Sequence, residues 1–180
     1  MQGSDERWIQ WWCAPWHWAH PDWKIRFVER CGFSAGDCDA VLSSYHSVFL
    51  QYAGIAPSQP PAPVAPLLQW LELDAGRQRQ ALSLVGRLCL PPHREVVVED
   101  VEAAHEAWCR AVTKALRPGL WLDPDIYDPR LLLAAWVGEV CWSRLRLQWS
   151  PDESTLTFID MPANKLQTIW QSVLWRIATP

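Results

Sequence analysis

The fold class is decided by the stretch Leu166-Gln-Thr-Ile-Trp-Gln-Ser-Val-Leu-Trp-Arg-Ile177, which has the cleanest helical register in the chain. Its apolar residues recur at steps of three and four, and they are Leu166, Ile169, Trp170, Val173, Leu174 and Ile177. This spacing places all six on one stripe of an amphipathic helix. We therefore predict a closing helix that begins near Pro162, with Trp170 in the core, so that Trp170→Ala is damaging and Asp152→Ala is not.

Three further helices are predicted upstream of this stripe. Asp74 can cap a helix that runs through Leu90, and a second helix is expected over about 99–116. A third begins after Asp128, with Pro129 in its first turn, and continues through the apolar run Leu131–Trp142. Together these helices predict a mainly α protein in which residues 67–180 form one irregular helical core unit. The alternative is that this unit and the residues before it form one continuous domain.

One segment departs from the helical pattern. Leu145, Leu147 and Trp149 alternate with polar residues, and a second alternation follows Ser150-Pro-Asp-Glu-Ser154. Period-two alternation on both sides of a turn is typical of a β-hairpin. For residues 144–160 the sequence therefore allows two predictions, which are a short β-hairpin or a helix that frays.

The first third of the chain has a different character. Residues 1–54 combine a tryptophan-rich region with one predicted helix over 34–54, which Ser34 or Asp37 can cap and Gly54 can close. Residues 55–66 follow as a proline-rich linker or surface loop, because five prolines fall between Ala56 and Pro66. This linker is expected to be stiff and extended.

Six tryptophans fall within sixteen residues of this region, and they are Trp8, Trp11, Trp12, Trp16, Trp18 and Trp23. Tryptophan is enriched at the energetic centres of protein interfaces, so these six are the candidate partner-binding residues. Replacing Trp11 and Trp12 by alanine would then weaken partner binding and leave the unfolding midpoint nearly unchanged. The alternative is that the segment folds back onto its own helical unit.

Composition excludes some classes of protein. The 180 residues carry 16 basic and 20 acidic side chains, a formal charge of −4, which argues against electrostatic binding to nucleic acid. Six cysteines are spread along the whole chain, and several have apolar neighbours, which favours a reducing, cytoplasmic compartment. Asp5 and Glu6 are unfavourable for an export signal, and we expect neither a signal peptide nor membrane insertion.

The candidate chemical sites are weak. Cys13, His17 and His20, with Cys31 or Cys38, could supply four zinc ligands, but their spacing matches no standard zinc motif. His105 and Cys109 lie one helical turn apart, and the simpler interpretation is a surface histidine beside a partly buried cysteine. The triplet Asp123, Asp125 and Asp128 lacks the glycine and terminal glutamate of a calcium loop, and turn and capping roles fit it better.

Motifs of the common enzyme classes are absent from the sequence. It contains neither a glycine-rich phosphate loop nor a G-x-S-x-G elbow. We therefore expect a protein that is not an enzyme and that has no cofactor.

The order of apolar motifs in residues 67–177 resembles a known family. Leu82-Ser-Leu-Val-Gly-Arg-Leu-Cys-Leu90 is similar to a helix of the SctK family of type III secretion accessory proteins, which includes YscK, PscK, OrgA and MxiK. The run from Leu131 to Leu147 resembles that family's tryptophan-bearing helix and the short segment after it, and Leu166–Ile177 resembles its closing helix.

This resemblance implies a non-catalytic adaptor of a type III secretion system. Proteins of the family link the SctQ pod protein of the cytosolic sorting platform to the SctD protein of the inner-membrane ring, beneath the injectisome. The implied location is cytoplasmic, at the inner membrane through the secretion complex. Two alternatives stay open: a small zinc-binding regulatory domain, and a peripheral membrane protein whose tryptophan-rich arm lies at the lipid interface.

Overall fold

The computed structural model describes residues 2–90, 103–123, 126, 128–153 and 161–178. Within these ranges the chain forms α-helices joined by short 3₁₀ turns, and no strand occurs. The α-helices are α1 Gln2–Cys13, α2 Pro21–Arg30, α3 Cys38–Ser44, α4 His46–Tyr52, α5 Ala65–Glu72, α6 Ala75–Cys89, α7 Ala103–Leu116, α8 Pro129–Val137, α9 Glu139–Leu145 and α10 Ala163–Ala178. The predicted mainly α fold is confirmed.

The chain divides into two compact units. The first unit consists of residues 1–64 and 139–156, and the second consists of residues 65–138 and 157–180. This division differs from the predicted one, which assigned the whole of 67–180 to a single helical unit. Residues 139–153 pack with the N-terminal third, so the first unit is discontinuous in sequence.

The second unit contains the helices whose signals were strongest in the sequence. The Asp74 side chain accepts a hydrogen bond from the N–H of Arg77 at 2.9 Å and so caps α6. α10 packs against α5, α6 and α8, and all six residues of its predicted stripe are buried. Trp170 stacks on Trp136 with ring centroids 5.2 Å apart and donates its indole N–H to the Leu132 carbonyl at 3.2 Å. The closing helix is therefore confirmed.

The core of the first unit is aromatic. Phe27 and Phe49 meet edge to face with centroids 5.3 Å apart, a favourable aromatic geometry. The other large buried members of this cluster are Trp16, Trp23, Leu42 and Leu147. Because Leu147 comes from the C-terminal half of the chain, this core explains why residues 139–156 belong to the first unit.

Two predicted helices are each broken in the structure. Residues 34–54 form a 3₁₀ turn, α3 and α4, with the break at Tyr45 (φ −111°, ψ 27°). Ser43 donates its hydroxyl to the Asp39 carbonyl at 2.8 Å, a back-bond that weakens and bends helices. The run Leu131–Trp142 is interrupted at Gly138 (φ 80°), where α8 ends and α9 begins. The apolar periodicity continues across both breaks, so it does not predict where the helices end.

The prediction of a first hairpin strand at residues 145–149 is wrong. Leu145 ends α9, and residues Arg146–Gln148 form a 3₁₀ turn. The alternation misleads because Arg144, Leu145 and Leu147 are all buried, so this segment has no solvent-facing alternate row. The second predicted strand lies mostly within residues 154–160, outside the described residues, as does the start of the helix predicted over 99–116.

Candidate functional site

The six candidate tryptophans are mostly buried. Trp8, Trp11 and Trp12 are each only 1% exposed, Trp16 and Trp23 are also buried, and Trp18 is half-buried. Five of the six are therefore unavailable as an exposed partner surface in this conformation. The same burial removes the basis for a lipid-facing arm, which was the peripheral membrane alternative.

Helix α1 gathers its three tryptophans on one face. Positions 8, 11 and 12 have the i, i+3, i+4 spacing that brings side chains together on a helix, and the ring centroids lie 5.4–6.1 Å apart. The opposite face carries Ile9, Gln10 and Cys13, all exposed. The segment is thus an amphipathic helix, although its density of tryptophan hides that pattern in the sequence.

The proline-rich segment 56–64 contacts this helix. Trp8 donates its indole N–H to the Pro61 carbonyl at 2.8 Å, and Trp12 donates to the Ser58 carbonyl at 3.1 Å. The side chains of the segment are exposed, and the segment has no helix or strand of its own. It was predicted to be a linker or a loop, and it is a loop held to α1 through its backbone; we call residues 56–64 the strap.

Arg144 is the buried charge of this region, and sequence reasoning missed it. Its side chain is nearly inaccessible, with a relative exposure of 3% for the residue, and its guanidinium carbon lies 3.8 Å from the centroid of the Trp12 ring. Nε donates to the Trp12 carbonyl at 3.1 Å, and Nη2 donates to the Ser58 hydroxyl at 3.2 Å. Burial lowers the pKa of Arg144. Within the described ranges no carboxylate forms an ion pair with it.

Further bonds tie the segment after Arg144 to the N-terminal third. Arg146 donates to the Ala53 carbonyl, and its guanidinium lies 5.3 Å from the Trp23 ring. The backbone N–H of His20 donates to the Leu147 carbonyl at 2.7 Å. Trp23 donates its indole N–H to the Trp149 carbonyl at 2.9 Å. The Arg-Leu-Arg-Leu segment at 144–147 thus packs against the N-terminal third of the chain.

The structure does not assemble the zinc ligands that the sequence suggested. His20 Nδ1 accepts a hydrogen bond from the Asp22 N–H as the cap of α2, and the His17 ring lies between Trp16 and Trp18. Cys13 is exposed, and Cys31 and Cys38 are half-buried free thiols. No three His, Cys, Asp or Glu side chains among the described residues are placed to hold a metal ion. The zinc-domain alternative loses its geometric basis.

His105 is buried, so the predicted surface position is wrong. Arg176 donates its Nε–H to His105 Nδ1 at 3.3 Å, and Gln80 Nε2 lies 3.4 Å from His105 Nε2. Cys109, one turn away, is buried, and burial raises the pKa of its thiol. A thiol held protonated is a poor nucleophile, which speaks against a thiolate–imidazole pair.

Asp128 has the capping role that the sequence favoured. Its carboxylate accepts from the Arg130 N–H at 2.8 Å and pairs with the Arg130 guanidinium at 2.6 Å. Asp123 is exposed, and Asp125 lies outside the described residues. A calcium loop receives no support from this arrangement.

Each unit has exposed apolar side chains, and several of them fall in or beside helical stripes, a pattern that predicts core positions. In the first unit the rings of Phe33 and Tyr45 lie 5.8 Å apart, each about two-fifths exposed, and Val48 lies one turn beyond Tyr45. In the second unit Trp175 is 65% exposed on α10, next to the buried stripe. Exposed aromatic groups of this kind mark interaction sites more often than isolated aliphatic residues do.

Comparison with known proteins identifies no relative of this chain. No family model, no curated protein and no solved structure matches this chain. Among the described helices, none is both long and apolar enough to cross a membrane.

Proposed function

We propose that this protein is a non-catalytic adaptor of a type III secretion system that links an SctQ-like pod protein to an SctD-like inner-membrane ring protein. The observation that carries the proposal is that two separately packed units each expose aromatic surface. The first unit exposes the Phe33–Tyr45 pair, and the second exposes Trp175. A linker between two proteins needs two contact surfaces, and one exposed aromatic group on each unit meets that need.

The sequence resemblance to the SctK family gives this general adaptor its specific partners. Residues of the family-like segments lie in the core of the protein. In α6, for example, Leu84, Val85 and Leu88 are buried. Gly86 is also buried there, and a Cβ at this position would lie 3.9–4.0 Å from side-chain atoms of Leu90 and Pro129. The family-like run from Leu131 to Leu147 supplies buried residues to both units, so the resemblance rests on core residues. The exposed aromatic residues are separate candidates for the contacts.

The test is co-purification of the full-length chain with the SctQ-like protein and with the cytoplasmic domain of the SctD-like protein of the same organism. We expect wild type to retain both. The variant Phe33→Ser with Tyr45→Ser should lose one partner, and Trp175→Ser should lose the other. Each loss should be about thirtyfold in affinity or more, because hot-spot aromatics contribute about 2 kcal/mol or more.

Matched controls use exposed aliphatic residues of the same units. Val140→Ser in the first unit and Leu120→Ser in the second remove side chains that are 59% and 78% exposed, and both should keep both partners. Binding of neither partner by wild type would contradict the proposed function. Equal binding by all variants would contradict the assignment of the two aromatic surfaces.

A further inference from the structure

Two hydrogen bonds join the strap to α1. The acceptor carbonyls, Ser58 and Pro61, are three residues apart on the strap, and the donor rings, Trp8 and Trp12, are four apart on the helix. A polyproline II helix has three residues per turn, so its carbonyls at i and i+3 point to the same side. Residues four apart on an α-helix also share a face. Each pair therefore lies on one side of its own element, and the order of the two hydrogen bonds makes the strap antiparallel to α1.

The strap sequence favours an extended conformation before it binds. Prolines at 57, 60, 61 and 63 fix φ near the polyproline II value, and residues that precede a proline are also restricted to extended conformations. Little backbone entropy is therefore lost when the strap binds. This is the physical reason that aromatic-lined grooves recognise proline-rich peptides in other proteins.

Arg144 completes the set of side chains that contact the strap. Its guanidinium packs over the Trp12 ring, and its Nη2 bonds the Ser58 side chain. Two indole N–H donors and one buried arginine therefore contact the strap through two carbonyls and one hydroxyl. Two of these three contacts are to the backbone, which any extended proline-rich segment presents.

We propose that the face formed by Trp8, Trp12 and Arg144 is a polyproline-recognition site, occupied in this conformation by the chain's own strap and open to a proline-rich segment of a partner protein when the strap is released. The proposal is independent of the secretion partners named above. The ligand class is an extended peptide with acceptor carbonyls three residues apart and a small hydroxyl residue at the arginine.

The test must first weaken the intramolecular ligand. A short tether gives the strap an effective concentration on the order of millimolar, which a free peptide cannot easily exceed. In the full chain, Pro57→Gly, Pro60→Gly, Pro61→Gly and Pro63→Gly make the strap flexible while leaving its carbonyls in place. The probe is a synthetic peptide with the sequence of residues 55–66, which contains no tryptophan. Binding is followed by calorimetry and by the indole N–H signals in NMR spectra.

The expected result is that the peptide binds the loosened variant at least about tenfold more tightly than wild type, with shifts of two indole N–H signals. A peptide with glycine at every proline should bind at least about tenfold more weakly than the proline peptide. Adding Trp12→Phe, which keeps an aromatic ring and removes the donor, should also weaken binding. If the fourfold variant does not fold, Pro60→Gly with Pro61→Gly replaces it.

Three outcomes overturn the proposal. One is a folded, loosened variant that binds neither peptide at millimolar concentration. Another is equal affinity for the proline and glycine peptides. The third is a wild-type dimer, seen by light scattering, that the peptide dissociates, because the face would then serve a second copy of this chain and not a partner protein.

Discussion

Arg144 donates its Nε–H to the carbonyl of Trp12 at 3.1 Å, although the two residues are 132 positions apart, and its guanidinium covers the Trp12 ring. One side chain thus joins α9, the end of α1 and the strap within the first unit. A buried cation in this position is costly unless its donors are used, which makes Arg144 sensitive to substitution.

Arg144→Ala is expected to lower the free energy of unfolding by about 3 kcal/mol, because the Trp12 carbonyl and the Ser58 hydroxyl lose a charged donor. Urea denaturation measures the loss. Arg26→Ala is the matched control, since Arg26 forms an exposed ion pair with Asp152 at 2.6 Å. Exposed pairs contribute little to stability, and an equal loss in the two variants would contradict the role given to Arg144.

Trp11→Ala combined with Trp12→Ala is expected to destabilise the protein. The sequence alone led to the opposite prediction of an unchanged midpoint, but both side chains are 1% exposed. Truncating one buried tryptophan typically costs about 3–5 kcal/mol. Thermal unfolding followed by circular dichroism checks this, with half-buried Trp18→Ala as the milder comparison. An unchanged melting temperature in the double variant would restore the exposed-arm interpretation.

Trp170→Ala is expected to unfold the protein or make it insoluble. The ring is fully buried, stacks on Trp136 and meets Trp70 edge to face at 5.8 Å, so its loss leaves a large cavity. Asp152→Ala removes only one side of an exposed ion pair and should express as wild type does. Soluble yield and the unfolding midpoint distinguish the two, and equal tolerance would show that the α10 stripe is not core.

The free energy of unfolding should decrease at alkaline pH because the buried Cys89 thiol resists ionisation. Burial raises the pKa of this thiol from 9.0 to about 12, so the folded state holds its proton where the unfolded state releases it. The stabilising contribution is complete below pH 9 and is lost as pH rises toward 12, with a slope of about 1.4 kcal/mol per pH unit. Urea denaturation between pH 8 and about pH 10 measures the slope. Cys89→Ala should make the slope shallower without abolishing it, because burial also raises the pKa of the Cys109 and Cys141 thiols. An unaltered slope would assign it entirely to other groups.

Gly138→Ala is expected to cost about 1–3 kcal/mol, because φ 80° with ψ 158° is a backbone conformation that is essentially restricted to glycine. A Cβ would meet nothing within 4 Å, so the cost would come from the backbone alone. Gly119→Ala is the control, since its surroundings are equally open and its φ is not positive. A similar small effect at both positions would show that the α8–α9 junction adjusts without strain.

Local sequence signals were enough to predict several of the helices. The stripe of α10 and the caps Asp74 and Asp128 were all readable, because helix periodicity and capping depend on residues within one or two turns. The breaks at Tyr45 and Gly138 were not readable from periodicity, which continues across them.

Which surfaces contact each other could be learned only from the folded chain. Periodicity tells which face of a helix is apolar and not what covers it, so the burial of Trp8 and Trp12 could not be read from their spacing. The strap is held through the carbonyls of Ser58 and Pro61, and backbone carbonyls have no signature in a sequence. Arg144 looked like the polar half of an alternating strand. It is buried because acceptors from two remote segments converge on its guanidinium, and only the folded chain brings them together.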